Sequence, residues 1–207
     1  MNRLAKGYDQ LSWVYDLLAR VMIGKSVQKS QRYGLPFLKY SRKVLILGGG
    51  TGWILPDLAK INPTLQIDYI EVSPKMIHRA QSRLNNLPLS VRLICGTESA
   101  IPDADYDGVI TGFYLDHFSD GQLPEVIRKI QRNLNSGAYW LATDFCANNF
   151  WQHQYIRILY LIFGWLTGMD TKELPAWQQA LEMAGGKLQV TKSWKRNWIQ
   201  TSVYQFS

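Results

Sequence analysis

Gly48, Gly49, Gly50 and Gly52 close the apolar run KVLILGGGTG, and Glu71 stands 21 residues beyond Gly50 at the end of a second run, LQIDYIEV. Residues without a β-carbon let a ligand come close to main-chain N–H groups, and the start of a following helix adds unpaired donors for its polar part. A carboxylate placed where Glu71 stands can accept hydrogen bonds from both hydroxyls of a ribose. The competing reading of Glu71 is a surface carboxylate beside the next helix; its place straight after an apolar strand favours the ribose. A dinucleotide fingerprint would put a third glycine at 53, where this chain has Trp53, and that argues against a pyrophosphate cradle. Further along, YLDHFSD offers His117 as a general base and Asp116 as a carboxylate to orient it or to act instead. The competing reading of this histidine is a structural one in a polar loop.

These groups need a scaffold, and the hydrophobic pattern supplies one. KVLIL, LQIDYIEV, VRLICG, YDGVITGFY and GAYWLATDF read as five buried strands. Between them lie helical stretches: WILPDLAKIN, with Pro56 tolerable only in its first turn; SPKMIHRAQSRLN, with Ser73 as N-cap and Pro74 in the first turn; and QLPEVIRKIQRNLN. Such alternation means right-handed crossovers and a parallel sheet covered on both faces. Ligands bind such sheets at the carboxyl ends of the strands, where the glycines, Glu71 and His117 all fall. After Phe145 the chain reads as an aromatic-rich helix, NNFWQHQYIRILYLIFGWLTGMD. A further helix follows, closed by Gly185 and Gly186, and then a β-hairpin turning near Arg196 and Asn197. Ahead of the first strand, Leu11, Val14, Tyr15, Leu18 and Met22 have the spacing of an amphipathic helix.

The 207 residues suit one domain with a full core, and the hydrophobic fraction of 46% excludes a disordered chain. Cys95 and Cys146 are too few and too far apart for a disulfide scaffold or a CxxC site, so buried thiols in a reducing cytoplasm are expected, and no metal site is indicated. The longest apolar segment, YIRILYLIFGWL, is broken by Arg157 and falls short of the ~20 residues that span a bilayer. The net charge of +7 is matched by residues 1–43 alone, leaving the rest of the chain neutral overall. A basic arm on a neutral body fits a solvated helix face, and it also permits peripheral contact with an anionic membrane.

The order of these segments resembles the class I S-adenosylmethionine-dependent methyltransferases, in particular the small-molecule branch that includes the ubiquinone and menaquinone biosynthesis enzymes. The resemblance runs from about Tyr8 to Gln205 and rests on YDQLSWVYD, VLILGGGTG, YIEVSPKMIHRA, GTESAIPDADYDGVITGFYLDHFSD and IRKIQRNLNSGAYWLATDF. It implies a Rossmann-like α/β fold with a seven-stranded, mostly parallel sheet whose last strand is antiparallel. It also implies a single domain with a helical arm over 1–43 and a helical lid over 147–170. Its cofactor would be S-adenosyl-L-methionine, with Gly48, Gly49, Gly50 and Gly52 toward the methionine end. Glu71, Val72 and Ser73 would lie at the ribose, and Met76, Gly96, Thr97 and Glu98 around the adenine. Thr111, Gly112 and Phe113 would lie along the methionine and open onto the acceptor. The implied partner is a small, apolar or aromatic methyl acceptor, roofed by the aromatic segment; no nucleic acid is expected. Two departures stand out: Ile46 occupies a position where the family usually has an acid, and Thr97 another. Each lost charged hydrogen bond would cost about 1.5–3 kcal/mol of binding unless backbone groups compensate. The competing functions are a binding or regulatory protein that keeps the fold without efficient catalysis, and a nicotinamide-nucleotide oxidoreductase.

Overall fold

The computed structural model describes residues 25–147 and 174–207. The amphipathic stretch over 8–22, with Tyr8 and Tyr15, lies outside these residues, as do His153 and the aromatic segment expected as a lid.

Seven strands form one sheet: β1 (Lys43–Leu47), β2 (Gln66–Glu71), β3 (Ser90–Cys95), β4 (Tyr106–Gly112), β5 (Leu134–Phe145), β6 (Lys187–Trp194) and β7 (Ile199–Gln205). Their order is β3-β2-β1-β4-β5-β7-β6. The first five are parallel to one another, and β7 runs antiparallel to both β5 and β6. This is the sheet implied by the resemblance, and the hairpin turns where the sequence puts it, with Lys195, Arg196 and Asn197 in the left-handed region.

The helices are α1 (Lys25–Tyr33), α2 (Leu55–Ile61), α3 (Pro74–Leu84), α4 (Leu123–Gln131) and α5 (Trp177–Met183). Pro56 sits in the first turn of α2, and Ser73 caps α3 by accepting the Met76 N–H. Gly185, at φ +94°, ends α5 in a Schellman turn: its N–H donates to Glu182 and that of Gly186 to Leu181.

Strand alternation sorts the core into two layers. Leu45 and Leu47 join the cluster under α4 and α5, with Trp140 and Trp177. Val44 and Ile46 join the opposite cluster under α2 and α3, with Tyr69 and Leu141. Both tryptophans are buried with their N–H groups satisfied, Trp140 by Thr111 Oγ1 at 2.9 Å and Trp177 by the Phe145 carbonyl at 3.0 Å. The sequence expectation of two buried cysteines needs correcting. Cys146 is buried, but Cys95 is exposed, because β3 is an edge strand and offers its end to solvent.

The described part of the basic N-terminal region, residues 25–43, is more than a solvated arm. Helix α1 is fixed to the body where Thr201 Oγ1 donates to the Ser30 carbonyl and where Arg32 Nε meets Asp57 at 2.7 Å. The Arg32 guanidinium also lies over the Trp53 ring. Among the described residues, no helix is long and apolar enough to cross a membrane.

Candidate functional site

The sheet order reverses between β1 and β4, and a pocket of about 350 Å³ opens there at the strands' carboxyl ends. The corner after β1 forms its floor. Gly48, Gly50 and Gly52 take φ of +64°, +62° and +73°, a conformation that side-chain-bearing residues avoid. The four glycines serve different ends. A β-carbon at Gly49 would fall inside the ring of Tyr69, and one at Gly52 would meet Ala80 and Leu55. At Gly50 it would meet nothing, because this residue faces the open pocket.

Glu71 binds the corner to the next loop. Its Oε2 accepts the Gly50 N–H and its Oε1 the Ser73 N–H, both at 2.9 Å. Burial raises its pKa, against the pull of those N–H donors and of nearby His117. The carboxylate still lines the pocket, and each oxygen retains a lone pair for a ligand hydroxyl. Beyond it, Met76 is buried against the pocket, and Val72, Gly96, Thr97 and Glu98 complete that wall. Thr97 caps the short turn over 98–100, and Glu98 Oε2 accepts the Tyr114 hydroxyl at 3.2 Å.

On the far side, Gly112, Phe113, Tyr114, His117 and Phe118 line the pocket. Phe113 holds φ +55°, a strained value for an aromatic residue, and its ring lies 4.9 Å from that of Phe145. His117 Nε2 stands 3.6 Å from Asp116 Oδ1. Behind them Asp144 is fully buried. Its Oδ2 accepts the N–H groups of Tyr114, Leu115 and Asp116 at 3.0 to 3.2 Å, and its Oδ1 that of Phe145. Burial and the adjacent Asp116 carboxyl push the Asp144 pKa well up.

The structure thus brings Gly48, Gly49, Gly50, Glu71, Val72, Met76, Gly96, Thr97, Glu98, Gly112, Phe113 and His117 to one cavity. Four residues named from the sequence stand behind its wall. Gly52 packs on α3, Ser73 caps that helix, Thr111 spends its hydroxyl on Trp140, and Asp116 backs His117. Sequence reasoning missed Val27 and Gln31 of α1, whose side chains reach the pocket, and Gln31 lies directly on the Gly112 backbone. It also missed Tyr69 and Asp144. A polar residue inside an otherwise apolar strand was the available signal for both.

Among the described residues that line the pocket there is no lysine or arginine, while Glu71 and Glu98 contribute carboxylates. Such a cavity suits a ligand bearing positive charge and repels a pyrophosphate. No cluster of described residues could hold a metal ion.

Comparison with known proteins bears on the fold that carries this pocket. A methyltransferase domain family matches residues 44–137. A demethylmenaquinone methyltransferase from Thermotoga maritima is 30% identical over 131 residues, which cover 61% of this chain and 55% of that protein. The mitomycin 7-O-methyltransferase MmcR superposes with a TM-score of 0.70 at 16% identity, over 97% of this chain and 60% of its own. The O-methyltransferase NcsB1 of neocarzinostatin biosynthesis, solved with S-adenosylmethionine and 2-hydroxy-5-methyl naphthoic acid, gives a TM-score of 0.64 at 16% identity, over 96% of this chain and 56% of its own. The matched regions therefore span little more than half the length of these proteins. Residues 44–137 match a methyltransferase domain family, and the chain has the Rossmann-like fold of the solved class I methyltransferases.

Proposed function

We propose that the protein transfers a methyl group from S-adenosylmethionine to a small apolar or aromatic acceptor. The observation that carries this reading is a pocket at the switch point that joins an open glycine corner to a buried, ribose-competent carboxylate and has no cation in its described lining. The residues fit the cofactor: Gly50 leaves space for it, Glu71 has lone pairs for its ribose, and the carboxylates favour its positive sulfonium. When bound, the cofactor supplies a methyl group already activated for displacement.

The chain's own part is alignment, exclusion of water and removal of a proton. Gly48 and Gly50 bring the main chain close to the methionine end, while Met76 and the 96–98 wall flank the adenine. Phe113, Tyr114 and Phe118 give the acceptor side an aromatic surface. His117 takes the proton of an acceptor hydroxyl, oriented by Asp116, whose charge stabilises the imidazolium formed. NcsB1 is also solved with 1,4-dihydroxy-2-naphthoic acid, and the Thermotoga relative is a demethylmenaquinone methyltransferase. Both acceptors, a ring hydroxyl or a quinone-derived ring, would suit the aromatic wall.

A second reading, a binding protein without efficient catalysis, draws on Ile46 and Thr97, which leave two polar cofactor contacts unmade. Calorimetry with S-adenosylmethionine and S-adenosylhomocysteine, followed by mass spectrometry of dihydroxynaphthoate incubated with methyl-labelled cofactor, separates the two. Binding with label transfer supports the enzyme, and binding with no transfer to this or any extract component supports the second. No binding of either ligand at millimolar concentration defeats both.

A further inference from the structure

Strand β1 ends without a carboxylate, yet the glycine corner after it is tightly held, and the holding comes from β2. Tyr69 is fully buried and is the register partner of Ile46. Its hydroxyl donates to the Gly50 carbonyl at 2.9 Å, while Glu71, two residues on and on the same sheet face, accepts the Gly50 N–H. Both main-chain polar groups of Gly50, a pocket-lining glycine with open space where a β-carbon would stand, are therefore fixed from a single strand. The Gly52 N–H donates to the Gly49 carbonyl, which closes the turn above this contact. Burial and the nearby Glu71 charge raise the Tyr69 pKa, so its hydroxyl stays a donor at any working pH.

Strand packing does not explain the hydroxyl. Phenylalanine would fill the same volume, and a buried O–H is costly unless it has a partner. The partner it has is the corner. The ring also occupies the space where a β-carbon at 49 would stand, which accounts for the middle glycine of GGG.

We propose that Tyr69 is the positioning residue of the glycine corner: it fixes the Gly50 carbonyl, as Glu71 fixes the Gly50 N–H, so that the corner keeps the shape that receives the cofactor without an acid at position 46. The inference rests on the proposed cofactor site, and its test has one arm that does not.

In the full chain, Tyr69→Phe removes one oxygen and leaves the packing. Hydrogen exchange without ligand is expected to speed up over residues 48–52 by about tenfold, with β4 and β5 unchanged. S-adenosylhomocysteine affinity should fall about five- to tenfold while the melting temperature of the unliganded protein moves little. Unchanged exchange over the corner overturns the inference, and so does faster exchange with unchanged affinity. If the variant is broadly destabilised, Gly49→Ala alone and combined with Tyr69→Leu decides the matter. The leucine should restore the fold and not the affinity, and full recovery of affinity refutes a role for the hydroxyl. Failure of the unaltered protein to bind S-adenosylhomocysteine would sink the proposed cofactor site instead, with the exchange result still deciding whether Tyr69 holds the corner.

Discussion

Glu71 and Asp144 are the same device used twice. Each is a buried carboxylate at or near the end of a parallel strand, and each reaches sideways to accept main-chain N–H groups from the loop after the adjacent strand. Glu71 on β2 holds the corner after β1, and Asp144 on β5 holds the turn after β4. Their surroundings separate them. Glu71 lines the pocket, whereas Asp144 is sealed behind it with Asp116 beside it. One carboxylate can therefore shape its loop and also meet a ligand; the other can only shape its loop and charge its neighbours.

The sharpest way to break this comparison is to remove Asp144. Alanine there would strand three consecutive N–H groups in the core, so Asp144→Ala should cost on the order of 3 kcal/mol in denaturant unfolding. Asparagine keeps an acceptor oxygen and relieves the like charge of Asp116, so Asp144→Asn should lie within about 1 kcal/mol of the parent. The raised pKa sets the sign of its pH dependence. The folded protein retains a proton that the unfolded chain releases, so this contribution is full below the ordinary carboxylate range and is lost as pH rises. Asp144→Asn should remove that slope. An Asn variant as unstable as the alanine would mean that the charge, rather than the acceptor, holds the turn.

Next in size is Glu71. Glu71→Ala should weaken S-adenosylmethionine binding by about tenfold or more, and Glu71→Gln by less, since an amide supplies one acceptor atom in place of two. Asp144→Asn should leave that affinity within about twofold. Because the Glu71 pKa is raised, the affinity of the unaltered protein should fall at a higher pH than an ordinary glutamate would give, as protonation removes an acceptor. Calorimetry across pH reads this directly, and equal affinity losses at Glu71 and Asp144 would erase the distinction between the two carboxylates.

How much of this was legible in the sequence follows from the range of each interaction. The alternation of strands and helices, helix starts at Pro56 and Ser73, and the hairpin at Arg196 and Asn197 depend on local pattern, and the sequence shows them. Gly48, Gly50 and Glu71 were legible because glycine and a strand-end acid carry strong backbone meanings. The Thr111 hydroxyl faces Trp140, because strand alternation turns it to the other side of β4. Asp144 and Tyr69 act across strands, on residues 28 to 30 and 19 positions away, and no periodicity announces such partners. Gln31 depends on where α1 lands, which is decided by Arg32, Asp57 and Thr201 together.

The smallest effect tests the comparison within one strand. Asp68 lies three residues before Glu71 on β2 and is as deeply buried, yet its pKa is lowered to about 2 where that of Glu71 is raised. Burial alone would raise both. The difference is the company: Arg92 meets Asp68 through two bonds of 2.6 and 2.8 Å, the Tyr106 hydroxyl donates at 2.7 Å, and Lys43 Nζ stands at 3.1 Å. A lowered pKa makes a contribution that is present above the ordinary value of 3.8 and lost as pH falls toward about 2. With half of the Arg92 side chain in solvent, that contribution should be on the order of 1 kcal/mol. Arg92→Met should therefore shrink the acid limb of the stability curve between about pH 4 and pH 2 and leave cofactor affinity unchanged. If it weakens the cofactor as well, the two ends of β2 are coupled, and Glu71 owes part of its poise to the cations at Asp68.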